Sequence, residues 1–443
     1  MDTAAVDRFR ELLRIPTVSH AEPASSDGAQ LVRFREAVRR LYPRLHDELE
    51  YETVGEHAML YRWRGHASDA SLVLMAHYDV VPVVPGEWMH PPFDAVLAGE
   101  GEERTIHARG AIDDKGALVA ILEAVEALVG EGWRPARDVY LAFGHDEEVA
   151  GLGAPAIVEV LCSRGVRPAL VLDEGGAVVS GAVPGVDVET AMIGVAERGV
   201  MTLGLTAREA GGHASTPPPL PATARLARAI DRLHRHPAPV RLVPPVRAMF
   251  RTLAPFAREP FRSIFTNLSV TGALLARALP RFGAETNALV RTTAVVTELD
   301  GADGENVLAT AARAAVNIRL LTGDSVAAAT ERARRAIADP RIEIEVRHGS
   351  DPSPVSPWRG EGWRRIASAV GSALGEDVVA TPYLQLGASD SRWFTAICEN
   401  VYRFAPFRLT ASEREALHAH DERIRVHVWL RGIEFYRDLL RLS

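Results

Sequence analysis

The sequence predicts an α/β fold: a mixed, largely parallel sheet flanked by helices, with a smaller α+β domain inserted into it. Three observations predict it. Short, unbroken apolar runs alternate with helical patterns over residues 1–196, the texture of a parallel sheet. Residues 197–349 read instead as alternating strands with a few helices, and the first texture returns over residues 350–443. At 443 residues the chain also exceeds what one core organises, so a two-part catalytic domain around an inserted lid or dimerisation domain is expected.

The elements follow in order. Val6, Phe9, Leu12 and Leu13 recur at helical spacing, and the helix ends near Ile15-Pro16 because proline restricts the residue before it. Residues 71–76, 138–143 and 170–172 are short apolar runs expected as strands buried on both faces. Residues 117–129 form an apolar-rich helix between the first two. Beyond residue 197, strands are expected at 200–206, 287–297, 309–320 and 342–346, with helices at 223–234 and 326–338. The Pro- and Arg-rich stretch from about 236 to 285 has weaker periodicity and is expected to line an acyl-side pocket or a dimer surface.

Composition narrows the function classes. Hydrophobic residues at 47% and charged residues at 24% are ordinary for a folded chain. A net charge of −8 argues against nucleic acid or an anionic membrane as partner. Cys162 and Cys398 lie far apart and build neither a disulfide framework nor a thiolate metal site. The acidic start lacks an apolar signal-peptide core, and no run of eighteen apolar residues is present, so a cytoplasmic location is expected. Lys115 is the only lysine, which reflects either a coding bias toward arginine or a site that demands an ammonium group.

Five segments carry chemistry, and each ends an apolar strand or opens the loop after one, where open α/β sheets place ligands. In Ala76-His77-Tyr78-Asp79 the extended chain turns His77 and Asp79 to one side, so the carboxylate can orient the imidazole. Asp113-Asp114-Lys115 is either a helix N-cap pair or a carboxylate able to bridge two metals. Asp146-Glu147-Glu148 is either a solvated acidic loop or a metal ligand beside a proton-accepting glutamate. Asp173-Glu174 follows the third strand, and His418-Ala419-His420-Asp421-Glu422 lies near the C-terminus. Imidazole and carboxylate donors without thiolate suit zinc, with cobalt or manganese as alternatives.

Residues 76–82, 109–116 and 144–148, in that order, make the chain resemble the M20 family of metallopeptidases over essentially its whole length. It is similar to the branch holding Gly-X carboxypeptidase and the N-fatty-acyl-amino-acid hydrolases, through residues 144–149, 173–176 and 401–406. The resemblance implies two zinc ions bridged by Asp113, one completed by His77 and Asp173, the other by Glu148 and His418. It implies that Asp79 orients His77, that Glu147 is the general base and later acid, and that the Asp113-Asp114 peptide is cis. Because this chain departs from the family after His418, His420 is a rival for that ligand. The resemblance further implies that His213 polarises the scissile carbonyl, often from a partner subunit. Asn287, Arg319 and the loop containing Gly387, Ser389 and Arg392 sit where relatives contact substrate.

The function so implied is hydrolysis of an amide bond next to a free α-carboxylate, by a carboxypeptidase or dipeptidase. The alternative is an N-acyl-amino-acid deacylase with the same metal centre. A small peptide or N-acyl amino acid is the expected partner, with a homodimer through the inserted domain.

Overall fold

The computed structural model describes the chain except for residues 1, 21, 23 and 24, together with the side chain of residue 2. Its strands of five or more residues are, in chain order, β1 (Glu50–Val54), β2 (Ala58–Trp63), β3 (Ala67–His77), β4 (Arg137–Gly144), β5 (Leu170–Val179), β6 (Thr190–Glu197), β7 (Gly199–Arg208), β8 (Thr293–Asp300), β9 (Ala311–Leu320), β10 (Ile342–Ser350), β11 (Val379–Gln385) and β12 (Val401–Arg408). Eight of them form the main sheet in the order β1-β2-β4-β3-β5-β12-β6-β11. The central neighbours β4, β3, β5 and β12 run parallel, whereas β1, β2 and the junction of β12 with β6 are antiparallel.

The apolar runs behave as two-faced strands. Leu72, Leu74 and Ala76 of β3 join one core with Leu141 and Phe143 of β4. Val73 and Met75 join the opposite core with Tyr140 and Ala142. The first core is covered by α1 (Asp2–Leu13), α2 (Lys115–Gly130) and a C-terminal helix (Val426–Arg441). Helix α2 is apolar on nearly every side because it is enclosed on nearly every side. Gly116 in its first turn is obligatory, since a β-carbon there would stand 2.3 Å from the Ala111 carbonyl oxygen. Phe9 and Trp429 stack at 4.5 Å between ring centroids, and the indole N–H donates to the Gly116 carbonyl.

The second sheet, β8-β9-β7-β10, is antiparallel throughout and packs one face on helices α3 (Ala222–Arg235) and α4 (Val326–Ile337). Two expectations need correction. The strand expected from residue 287 begins at Thr293, because residues 284–288 complete a short helix that buries Thr286. The inserted domain expected over 197–349 is interrupted: Val246, Met249, Phe250, Phe265, Leu268 and Leu275 from the Pro- and Arg-rich stretch are helical and join the core of the main sheet. Their apolar faces have no place in the compact core of the small sheet.

Truncation of Trp429 tests this packing. Trp429→Ala is expected to lower unfolding free energy by about 3–5 kcal/mol, since it leaves a cavity beneath α2 and an unpaired carbonyl. A shift of the denaturant midpoint equivalent to less than about 1 kcal/mol would contradict it.

Candidate metal centre

Parallel pairing sets the carboxyl ends of β3, β4 and β5 side by side, with His77 opposite Gly144. The loops leaving these ends therefore converge, and the polar residues gather there. The Asp113 carboxylate lies between two imidazoles. One of its oxygens is 3.1 Å from His77 Nε2, and the other is 2.9 Å from His418 Nε2. His418 Nε2 is also 3.0 Å from Glu148 Oε2, and His77 Nε2 is 3.8 Å from Glu174 Oε1.

These spacings fit metal ligation. Donors about 2.0–2.2 Å from a tetrahedral ion stand about 3.3–3.5 Å from one another, close to the edges seen here. His77, Asp113 and Glu148 offer donor atoms all within 4.8 Å of one another, as do His77, Asp114 and Glu174. Glu148 Oε1 is buried without a hydrogen-bond partner, the condition of an oxygen awaiting a cation. His418 holds its position with φ of 58°, a backbone region that a β-carbon disfavours. His420 is exposed and joins no such group, so the geometry selects His418 of the two.

The electrostatics are those of concentrated negative charge. Burial first, then Asp113, push the Glu174 carboxyl well above the carboxylate range. Burial, with Asp390, Asp79 and Asp113 behind it, does the same to Glu147. Hydrogen bonding to Asp113 and then Glu148 pushes the His418 imidazole up to about 10.

Asp79 and Glu422 hold the cluster in shape. Fully buried, Asp79 stands 3.2 Å from His77 Nδ1 and accepts the backbone N–H groups of Glu147 and Glu148 and the Ser19 hydroxyl. One carboxylate thus orients the imidazole and pins the diglutamate turn. Glu422, also fully buried, accepts the N–H groups of Gly110, Ile112 and Asp113 and the Arg109 guanidinium. It fastens the His418 segment to the Asp113 loop, whose Asp113-Asp114 peptide is cis. Sequence reading reached Glu422 only as the end of a histidine motif, since its partners lie more than 300 positions away.

Other expected site residues fall elsewhere. Asp173 does not face His77; its carboxylate accepts the Ser391 N–H, and its neighbour Glu174 takes the position instead. Adjacent strand residues point to opposite faces, so only one of the two can reach. His213 is exposed on a two-residue strand of the small domain, and among the described residues no hydrogen bond or ion pair ties it to the cluster. Asn287 lines a cleft of about 390 Å³ with His236 and Arg291. Ser389 turns its N–H and hydroxyl to buried Glu197, and Arg392 reaches Glu197, Ser350 and Asp351. Gly387 is exposed in the same loop. Arg319 is half-buried without a carboxylate partner among the described residues; burial and then Arg392 hold its guanidinium below the usual value.

Glu422→Gln keeps the shape but weakens the grip on the Asp113 loop. Zinc affinity is expected to fall about 10–100-fold with the fold intact, measured by calorimetric titration. Unchanged affinity would show that the loop needs no such anchor.

Comparison with known proteins places this centre. A model of peptidase family M20/M25/M40 matches residues 73–442. The chain is 34% identical over 446 residues to the N-fatty-acyl-amino acid synthase/hydrolase PM20D1 of Xenopus tropicalis, covering 99% of this chain and 85% of that protein. It is 30% identical over 448 residues to the probable carboxypeptidase S-like 2 of Dictyostelium discoideum, again covering 99% and 85%. In fold it matches the M20 family metallo-carboxypeptidase Sso-CP2 from Sulfolobus solfataricus, with a TM-score of 0.72, 18% identity and coverage of 100% of this chain and 99% of the other. The chain belongs to peptidase family M20/M25/M40 and is a metal-dependent hydrolase of amide bonds.

Proposed function

We propose that this enzyme is a two-zinc hydrolase that removes the acyl group from an N-acyl amino acid bearing a free α-carboxylate. The observation that carries the metal count is Asp113, whose two oxygens each face a different imidazole. His77, Asp113 and Glu174 would hold one zinc, and Asp113, Glu148 and His418 the other. Glu174 replaces Asp173 in this assignment because it stands on the His77 side of the strand. When bound, the ions acidify water and polarise a carbonyl.

The remaining steps belong to the chain's own groups. Glu147, buried and with its carboxyl pushed up, is suited to take a proton from the attacking water and return it to the leaving amine. Asp79 keeps His77 and the Glu147-Glu148 turn in register. His213 Nδ1 accepts the Ser215 N–H, which leaves the proton on Nε2 as a donor for the carbonyl oxygen. Closure of the small domain, or a partner subunit in a homodimer through that domain, would bring it to the metals. Arg319, with Arg392 nearby, supports recognition of the free carboxylate. Asn287 and the Gly387–Ser389 loop would take part only after rearrangement.

The choice of an acyl group over an aminoacyl group rests on the relatives named as N-fatty-acyl-amino acid synthase/hydrolases, including the human protein at 32% identity. The carboxypeptidase S-like relatives support a carboxypeptidase or dipeptidase as the second reading. Two unpaired cysteines, Cys162 and Cys398, support a reducing compartment and hence the cytoplasm.

The test is hydrolysis by the zinc-loaded protein of dipeptides, N-acetyl amino acids and long-chain N-acyl amino acids. Long-chain N-acyl amino acids are expected to turn over best, and chelator to abolish cleavage. Glu147→Gln is expected to lose about 10²–10⁴-fold in kcat. Cleavage that survives chelator or the substitution would overturn the mechanism, and a preference for dipeptides would establish the second reading.

A further inference from the structure

The helical segment between residues 244 and 283 combines two features that occur together nowhere in the composition as a whole. It holds six arginines and a single acidic residue, Glu259, in a chain whose net charge is −8. It also exposes large apolar side chains: Val270 is 84% exposed, Leu274 72%, Phe282 54% and Phe256 44%. The helix Leu268–Ala278 explains why. Leu268, Gly272, Leu275 and Ala276 pack inward, yet the outward face repeats apolar residues at Val270, Ala273 and Leu274. A helix apolar on both faces is ordinarily enclosed on both, and this one has a single protein neighbour.

The outer face is bordered by cations. Arg277 and Arg281 continue the Val270-Leu274 row at helical spacing, and Arg262 lies on the preceding short helix, Phe261–Thr266. All three are exposed, and none has a carboxylate within 4.0 Å among the described residues; Arg277 and Arg281 donate only to carbonyls of their own turns. A second copy of the chain is a poor occupant, because a two-fold contact would set these arginines against their own images. No helix of the described residues is long and apolar enough to cross a membrane. Apolar side chains ringed by unpaired arginines match the boundary of a bilayer with acidic headgroups, where the apolar groups enter the acyl layer and the guanidinium groups meet phosphate.

We infer that the 244–283 segment docks the enzyme reversibly on anionic lipid surfaces, with Val270, Leu274 and Phe282 inserted and Arg262, Arg277 and Arg281 at the headgroups. The low overall charge argument against such a partner fails because the charge is unevenly distributed: this segment is basic while the rest of the chain is acidic.

Vesicle flotation of the full chain tests this. Wild type is expected to float with vesicles of about 30% phosphatidylglycerol in phosphatidylcholine and to bind pure phosphatidylcholine at least about tenfold more weakly, with binding lost as salt rises. Val270→Ser with Leu274→Ser, and separately Arg262→Gln with Arg277→Gln and Arg281→Gln, are each expected to reduce flotation about tenfold or more while thermal unfolding is unchanged. Absence of flotation by wild type, or equal flotation by all three proteins, would overturn the inference. So would sedimentation showing that the apolar substitutions dissociate a dimer while lipid binding persists.

Discussion

The constraint on which this structure depends is the burial of many carboxylates in one place. Asp79, Asp113, Asp114, Glu147, Glu148, Asp173, Glu174 and Asp390 crowd the carboxyl ends of the central strands, with His77 and His418 as the nearest imidazoles. Burial and mutual repulsion drive Asp114, Glu147, Glu174 and Asp390 all well above the carboxylate range. Such a cluster is sustained by protons or by bound cations. Cations let the carboxylates remain ionised and turn an unfavourable burial into a binding site.

The rest of the molecule serves that arrangement. Parallel strands bring loops from distant parts of the chain to one edge, and the enclosed helix α2 makes the Asp113 loop rigid from behind. Asp79 and Glu422 then use ionised carboxylates as acceptors for backbone N–H groups, locking the loops that carry the ligands. A buried anion that accepts several N–H groups is better solvated by the protein than an isolated one, which explains how two more carboxylates are tolerated beside the cluster. The small domain stands apart with its own core and carries His213 on an exposed ribbon, which separates metal holding from carbonyl recognition.

Much of this was legible in the sequence because it rests on local rules. Two-faced apolar runs announced β3, β4 and β5, and the polar residues just past each run announced the loops that meet. What was not legible depends on orientation or on distance along the chain. Asp173 and Glu174 are adjacent, and only the strand's register decides which one faces His77. The role of Glu422 arises from contacts made across most of the chain. The helices after residue 244 were assigned to the small domain because continuity of sequence suggested it, whereas their apolar faces follow the larger core. Ser389 and Arg392 sit in the expected loop, but buried Glu197 claims their polar groups.

The most direct test of the central claim is anomalous diffraction from crystals of the zinc-loaded protein. Two peaks about 3.5–4 Å apart are expected on either side of Asp113, with Glu174 reaching the ion that His77 holds. A single peak, or coordination by Asp173 in place of Glu174, would contradict the account.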